Sequence, residues 1–201
     1  MAAEVSPEDV IRFWLGDDAV GDPLAKVEDW WKKNETFDAQ IRDRFLTTLE
    51  RGVRGELADW ESTPRGRFAL ILLYDQLSRN MFRGTARSFG QDALARALAS
   101  RSFEAGDDKV LAPIEVSFVL MPFMHGEDLA LQRRALDGFV LLRDTAADEK
   151  LRANFANAEK YSRMHMAIIE RFGRFPHRNA ILGRASTPEE VEFLKQPGSG
   201  F

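Results

Sequence analysis

Residues 68–84 read Phe68-Ala-Leu-Ile-Leu-Leu-Tyr-Asp75-Gln76-Leu-Ser-Arg79-Asn80-Met-Phe-Arg83-Gly84, and we expect the rest of the chain to pack around them. Its first half is apolar on every side, which is typical of a buried helix. Its second half carries charge, and helical steps of about 100° place Asp75, Arg79 and Arg83 on one stripe. The pattern therefore predicts a central helix with Asp75 and Arg79 in or beside the protein interior.

The composition is that of an ordinary globular protein. The 201 residues are 44% hydrophobic and 30% charged, so we expect a single all-helical domain over 1–201 with a loose tail at 197–201. The chain has no cysteine, which excludes disulfides and a thiolate nucleophile and fits a reducing compartment. Residues 1–6 lack the features of a signal peptide, and no apolar run approaches the roughly 20 residues of a membrane span. We therefore expect a cytoplasmic protein with no membrane partner.

Positive charge is concentrated in two segments of a chain whose net charge is -4. Residues 63–90 and residues 163–184 each contain five arginines and one acid. The rest of the chain is strongly acidic, which argues against a nucleic-acid partner. Two basic segments in an acidic protein favour a local anion site instead.

Helix signals recur along the whole chain, and no segment shows the sustained alternation of a strand. Ser6-Pro7, Thr63-Pro64 and Thr187-Pro188 each pair a capping residue with a proline at the first helical position. Helices are predicted over 7–15, 27–31, 35 to about 52 or 55, 64–82, 88–102, from 113, from 129, 147–172 and 187–195, with a loop over 17–23. Short connections of this kind favour an all-α fold of antiparallel helix pairs stacked in sequence order.

The same patterns give expectations about individual side chains. Leu94 is expected to face inward on the helix over 88–102, and Tyr161 and His165 on the long helix that ends before Gly173. Pro122 is expected to end or kink the helix that starts at Pro113, because proline lacks the N–H that continues a helix.

The central helix carries the first group of candidate site residues. Asp75 and Arg79 have the spacing of a helical ion pair, which is either a buried pair that fixes packing or part of a site. Arg79 and Arg83 would hold an anion, since guanidinium groups match carboxylate or phosphate. Gln76 and Asn80 lie on the neighbouring row and would add neutral hydrogen bonds.

The three histidines and an arginine-rich loop give the second group. His125 precedes Glu127 and Asp128, two candidate ligand-binding residues, where a helix begins. It is either a capping or turn residue, or a general base or ligand-binding group; Asp75 is the other candidate base. His165 is expected in the core. Residues 171–179 bring several cationic side chains close together in sequence. The candidate ligand-binding residues in this loop are Arg174, His177, Arg178 and Asn179. Such a loop needs either carboxylates from elsewhere in the chain or an anionic ligand.

Several kinds of site are not predicted. The histidine spacing lacks the two-histidine helical signature of a zinc hydrolase, so we predict no metal and no cofactor. The sequence also has no glycine-rich phosphate loop and no GxSxG nucleophile motif.

Three separated motifs resemble the bacterial family of unknown function called DUF924. They are Asp75-Gln-Leu-Ser-Arg79-Asn-Met-Phe-Arg-Gly84, Met121-Pro-Phe-Met-His125-Gly-Glu-Asp128 with Gln132, and Gly173-Arg-Phe-Pro-His-Arg-Asn179 through Leu182-Gly-Arg184. Gly126 departs from the serine that the resemblance leads us to expect, so no hydroxyl group is available beside His125. The resemblance implies an all-α fold similar to tetratricopeptide-repeat proteins and implies no activity.

Three functional hypotheses remain open. The first is a binding protein whose pocket takes an anionic small molecule or an acidic peptide end, held by Arg79, Arg83, Arg174 and Arg178. The second is a hydrolase in which His125 or Asp75 is the general base and the arginines stabilise negative charge. The third is a protein-interaction scaffold. The sequence does not indicate the oligomeric state.

Overall fold

Helices account for the architecture of residues 4–16 and 22–200, the part of the chain that this computed structural model describes, and no strand occurs in that part. The residues at 1–3, most of the loop predicted over 17–23 and the last residue of the predicted tail lie outside it. The helices are α1 Pro7–Leu15, α2 Val27–Trp31, α3 Glu35–Val53, α4 Pro64–Ile71, a π-helical segment Leu72–Leu77, α5 Ser78–Met81, α6 Asp92–Glu104, α7 Pro113–Met124, α8 Leu129–Thr145, α9 Glu149–Phe172 and α10 Pro188–Leu194. The all-α prediction is confirmed.

The predicted helix starts are confirmed by their caps. Ser6, Thr63 and Thr187 each accept a hydrogen bond from a backbone N–H in the first turn of the helix that follows. Asn34 caps α3 in the same way. Gly173 ends α9 with a φ of 68°, in the left-handed region that glycine adopts without a steric penalty.

The central segment, residues 64–81, is buried as its composition predicts. It packs against α1, α3, α6 and α7. Its middle turn is a π-helix, which frees backbone groups that an α-helix would pair. Ser78 compensates for this, because its hydroxyl donates to the carbonyl oxygen of Tyr74 at 2.6 Å. The wide turn is therefore supported by a side-chain hydrogen bond to its own backbone.

Two side-chain predictions and one boundary alternative are wrong. Helix α7 does not end at Pro122 but continues to Met124, because the packing of this buried helix outweighs the cost of the missing N–H; the other alternative, a kink at Pro122, stays a prediction. Leu94 is 41% exposed, because the buried row of α6 runs through Ala95, Leu98 and Ser102. Tyr161 is 45% exposed, because the buried row of α9 passes through Ser162 instead.

Successive helices pack against one another along the second half of the chain. The pairs α6–α7, α7–α8 and α8–α9 are all in contact. The likeness to tetratricopeptide repeats remains a prediction. Beyond α9, Phe175 packs with Ile168 and Ile169 in a small separate core, which attaches the segment 174–184 to the end of α9.

The ends of the described chain add two observations. In the tail, the backbone N–H of Ser199 donates to Gln196 O at 3.3 Å and its hydroxyl donates to Leu194 O at 3.1 Å. Among the described residues, no helix combines the length and the apolar character needed to cross a bilayer.

Candidate functional site

The centre of the candidate site is a buried hydrogen bond between two distant residues. The Nδ1 atom of His125, at the end of α7, lies 2.7 Å from Oδ1 of Asp75 in the π-helical turn. Arg79 approaches the same oxygen at 3.3 Å, and Gln76 donates to Oδ2 at 2.6 Å. Asp75 is 1% exposed, so the predicted helical ion pair with Arg79 is confirmed as a buried one.

Burial and neighbouring groups set the charges of this pair. Burial alone would raise the pKa of Asp75, but His125, Arg79 and the hydrogen bonds that Asp75 accepts lower it below its usual range. Burial and the nearby charge of Arg79 lower the pKa of His125. The pair at neutral pH is therefore an aspartate and a neutral imidazole whose Nδ1–H donates to it. The His125 side chain keeps 13% of its exposure, so its ring is not sealed from solvent.

The backbone around His125 is fixed by two further side chains. Gln132 is fully buried, and its Nε2 donates to the carbonyl oxygens of Met124 at 2.6 Å and Gly126 at 2.7 Å. Arg178 Nη1 donates to the carbonyl oxygen of His125 itself at 3.1 Å. Three consecutive carbonyl groups are thus held in place, which orients the imidazole toward Asp75.

Asp92 links this network to the C-terminal segment. One of its oxygens lies 2.8 Å from Arg79 Nη2, and the other lies 3.5 Å from Arg178 Nη1. The Arg178 guanidinium also stacks on Phe89 and Phe175, with its central carbon 4.6 and 4.4 Å from the ring centroids. The guanidinium is therefore held rigidly by one carboxylate and two aromatic faces.

Arg178 is a cation with a hydrogen-bond donor that no described residue uses. Its side chain is 7% exposed, yet its Nε–H has no hydrogen-bond partner among the described residues. Burial and the neighbouring charge of Arg79 lower the pKa of Arg178 to about 10, which still leaves it charged at neutral pH. A buried donor without a partner costs free energy, and an anion would relieve that cost.

Arg178 lines a solvent-open cleft of about 310 Å³ between α6, the start of α8 and the segment after α9. We call it the Arg178 cleft. Its polar lining residues are Asp92, Arg96, Glu127, Asp128 and Arg178, and its apolar lining residues are Phe89, Leu131 and Leu182.

Glu127 and Asp128 in the cleft accept hydrogen bonds from other described residues, whereas Arg96 makes none. Arg184 donates to both carboxylate oxygens of Glu127, and the backbone N–H of Phe175 donates to one of them. These hydrogen bonds overcome the effect of burial and lower the pKa of Glu127. Asp128 caps α8 by accepting from Leu131 N. Arg96, in contrast, makes no hydrogen bond or ion pair with any described residue.

Four of the sequence candidates are held outside the cleft. Asn80 and Arg83 both donate to Asp38 on α3, at 2.8 Å in each case. Arg83 lies beyond the end of α5, which is why it leaves the stripe of Asp75 and Arg79. Arg174 and Asn179 both donate to Glu190 on α10, at 2.6 and 3.3 Å.

The three histidines lie close together. His125 and His165 have ring centroids 6.2 Å apart, and Phe175 packs between His165 and His177 at 5.5 and 5.6 Å. Burial and neighbouring positive groups lower the pKa of His165 to about 3 and that of His177 to about 4. In the described parts of the chain, no group of three or more His, Asp or Glu side chains is arranged to hold a metal ion.

Sequence reasoning missed two residues of the site, Asp92 and Arg96. Asp92 lies two positions beyond the basic segment 63–90. A charge count limited to that segment therefore left out the carboxylate that pairs most closely with its Arg79. An acid in the first turn of a helix that directly follows a basic segment was the available signal. Arg96 had no sequence signal, because it is one of many arginines in the chain.

Comparison with known proteins gives a family and a structural relative. The model of a family described as "Bacterial protein of unknown function (DUF924)" matches residues 10–198. The solved structure of the protein of unknown function ATU0120 from Agrobacterium tumefaciens is 35% identical in sequence, with a TM-score of 0.77. The match covers 94% of this chain and 96% of that one. No curated protein matches the chain.

Proposed function

Since the chain belongs to the DUF924 family, whose description gives no activity, we propose from the site alone that the protein binds an anionic small molecule or the acidic end of a peptide in the Arg178 cleft. Arg178 and Arg96 hold the anion. The Asp75–His125–Arg79 network beneath the cleft supports Arg178 through the shared Asp92.

One observation carries this proposal. Two arginines with unused donors line the same cleft: the buried Nε–H of Arg178 has no partner among the described residues, and the guanidinium group of Arg96 makes no hydrogen bond with them. Arg79, Arg83 and Arg174 each already have a carboxylate partner. The sequence led us to expect an anion-binding role for Arg79, Arg83, Arg174 and Arg178. Of these four we now propose that role for Arg178 alone, and we add Arg96.

Titration calorimetry tests the proposal with inorganic phosphate, phosphorylated metabolites, simple carboxylates and peptide C-termini. We expect at least one class of anion to bind with an affinity that falls as salt is added. Arg96→Gln should weaken that binding by about tenfold or more, as expected for loss of a charge-assisted hydrogen bond. Arg133→Gln, an exposed arginine of α8 outside the cleft, is the matched control. Failure of every anion to bind would overturn the proposal.

A hydrolase is the second candidate, and the hydrogen bond between His125 and Asp75 favours it. An aspartate that accepts from Nδ1 leaves Nε2 of a neutral imidazole with a lone pair, which is the arrangement of a general base. Asp75 itself is fully engaged and sealed, so the base would be His125. The base would activate a water molecule, and Arg178 would stabilise negative charge on the substrate.

A screen of ester, amide and phosphoester substrates separates this candidate from simple binding. The hydrolase predicts turnover that His125→Gln abolishes and that Arg133→Gln leaves intact. Its rate should rise with pH through the pKa of His125. Turnover that survives in His125→Gln, or that is absent for all substrates, argues against the second candidate and leaves anion binding to be judged by calorimetry.

A further inference from the structure

Within the described residues, one carboxylate in the Arg178 cleft is not paired with a cation. Asp128 is exposed, and its carboxylate accepts the cap hydrogen bond from Leu131 N at 3.0 Å through Oδ1, while its backbone oxygen accepts from Gln132 N. Neither Arg96 nor Arg178 forms an ion pair with it, although all three residues line the same cleft. An unpaired carboxylate and two arginines with unused donors therefore line one small cleft without pairing with each other.

The other walls of the cleft add an apolar surface. Leu131 and Leu182 line it together with Phe89. Leu182 is 37% exposed and so offers apolar surface to the cleft. A volume of about 310 Å³ suits a small ligand, since it lies at the lower end of the range of about 300–1,000 Å³ for ligand pockets.

We propose that the ligand is an α-amino acid or a short peptide with an apolar side chain. Its carboxylate binds Arg178 and Arg96, its ammonium group binds Asp128, and its side chain covers Leu131 and Leu182. This inference rests on the proposed function, because the same two arginines hold the anionic end. It goes further in requiring a positive group and an apolar group on the same ligand.

The charge balance of the cleft supports a ligand with both charges. Asp92 is committed to Arg79 and Arg178, and Glu127 is committed to Arg184. What remains is Asp128 on the acidic side, with Arg96 and the Nε–H of Arg178 on the basic side. A simple anion would satisfy the arginines and would be repelled by Asp128, whereas a zwitterion satisfies both groups.

Calorimetry with three related probes tests this: leucine, N-acetyl-leucine, which lacks the positive charge, and leucine amide, which lacks the negative charge. Leucyl-leucine extends the series to peptides. We expect leucine or the dipeptide to bind at least about tenfold more tightly than either single-charge probe, as a charge-assisted hydrogen bond implies.

Asp128→Asn isolates the ammonium contact, because asparagine caps a helix as well as aspartate does. It should bring leucine down to the affinity of N-acetyl-leucine and leave N-acetyl-leucine unchanged or tighter. Asp137→Asn, an exposed acid of α8 outside the cleft, should change neither.

The outcomes distinguish the two proposals. Equal binding of leucine and N-acetyl-leucine, or phosphate binding that depends on Arg96 with no leucine binding, would overturn the amino-acid assignment and leave anion binding intact. Absence of binding by every probe and every anion would overturn both.

Discussion

His125 Nδ1 and Asp75 Oδ1 lie 2.7 Å apart, and this hydrogen bond joins the C-terminal end of α7 to the π-helical turn of the central segment. Asp75 is buried and His125 is mostly buried, and Arg79 and Gln76 complete the hydrogen bonding of the carboxylate. The bond is therefore a structural link between two elements and also the feature that orients the imidazole. Four predictions test how this region and its surroundings are held together.

Asp75→Asn should destabilise the protein by about 3–5 kcal/mol, because removing one partner of a buried pair leaves the charge of Arg79 less well compensated. Denaturant unfolding of the variant measures the loss. Glu192→Gln is the control, since it breaks an exposed pair with Lys195 that is worth about 1 kcal/mol or less. Equal effects of the two substitutions would contradict the buried network.

Gln132→Ala should cost about 2–3 kcal/mol, because the carbonyl oxygens of Met124 and Gly126 both lose a buried donor. The variant should also change the NMR signals of the His125 ring, since its backbone is no longer clamped. Gln196→Ala, at an exposed position, should do neither. An unchanged His125 spectrum in Gln132→Ala would show that the clamp does not orient the ring.

Ser78→Ala should cost about 1–2 kcal/mol, because the carbonyl oxygen of Tyr74 in the π-helical turn loses its hydroxyl donor. Ser62→Ala removes a similar hydrogen bond to a carbonyl oxygen at an exposed position, where water replaces it. Thermal or denaturant unfolding compares the two variants. A loss in Ser78→Ala no larger than in Ser62→Ala would mean that the turn is held by packing alone.

Stability should fall as the pH is lowered from about 6.5 toward 5. Burial lowers the pKa of His165 to about 3, whereas the unfolded chain takes up that proton near pH 6.5. The unfolded state therefore binds more protons in this window, and each such histidine costs about 1.4 kcal/mol per pH unit. Urea unfolding at several pH values measures the slope.

In His165→Gln, the slope of the free energy of unfolding against pH should be smaller than in the parent protein. The difference should correspond to the uptake of one proton. Measurements above pH 5 keep most carboxylate titrations out of the comparison. A variant whose stability changes with pH as steeply as the parent's would show that His165 is not buried as a neutral group.

Much of the helical framework was predictable, because its signals are local. The caps at Ser6, Asn34, Thr63 and Thr187 and the glycine at Gly173 act within one helical turn, so a few neighbouring residues suffice to identify them. The errors arose where tertiary packing outweighed local preference. Pro122 remains inside a helix because its surroundings are buried, and Tyr161 is exposed because the polar residue Ser162 occupies the inner row instead.

The candidate site was predictable only in part. The burial of Asp75 and its pairing with Arg79 followed from the stripe on the central helix, since the two residues are four positions apart. The partners of Arg83, Arg174 and Arg178 did not, because Asp38, Glu190 and Asp92 come from other elements. Pairing between distant residues depends on how the helices pack, and charge counting within a segment does not reveal it.

The helical nature of this protein, the start of most of its helices and the burial of the region around Asp75 followed from the sequence, because hydrophobic periodicity and capping act over a few residues. The packing of the helices was needed to establish which arginines have all their charge answered by carboxylates and which two line an open cleft with donors left over. The reason is that an arginine's availability depends on the distance to the nearest carboxylate in space, and the chain brings those groups together from helices far apart in the sequence.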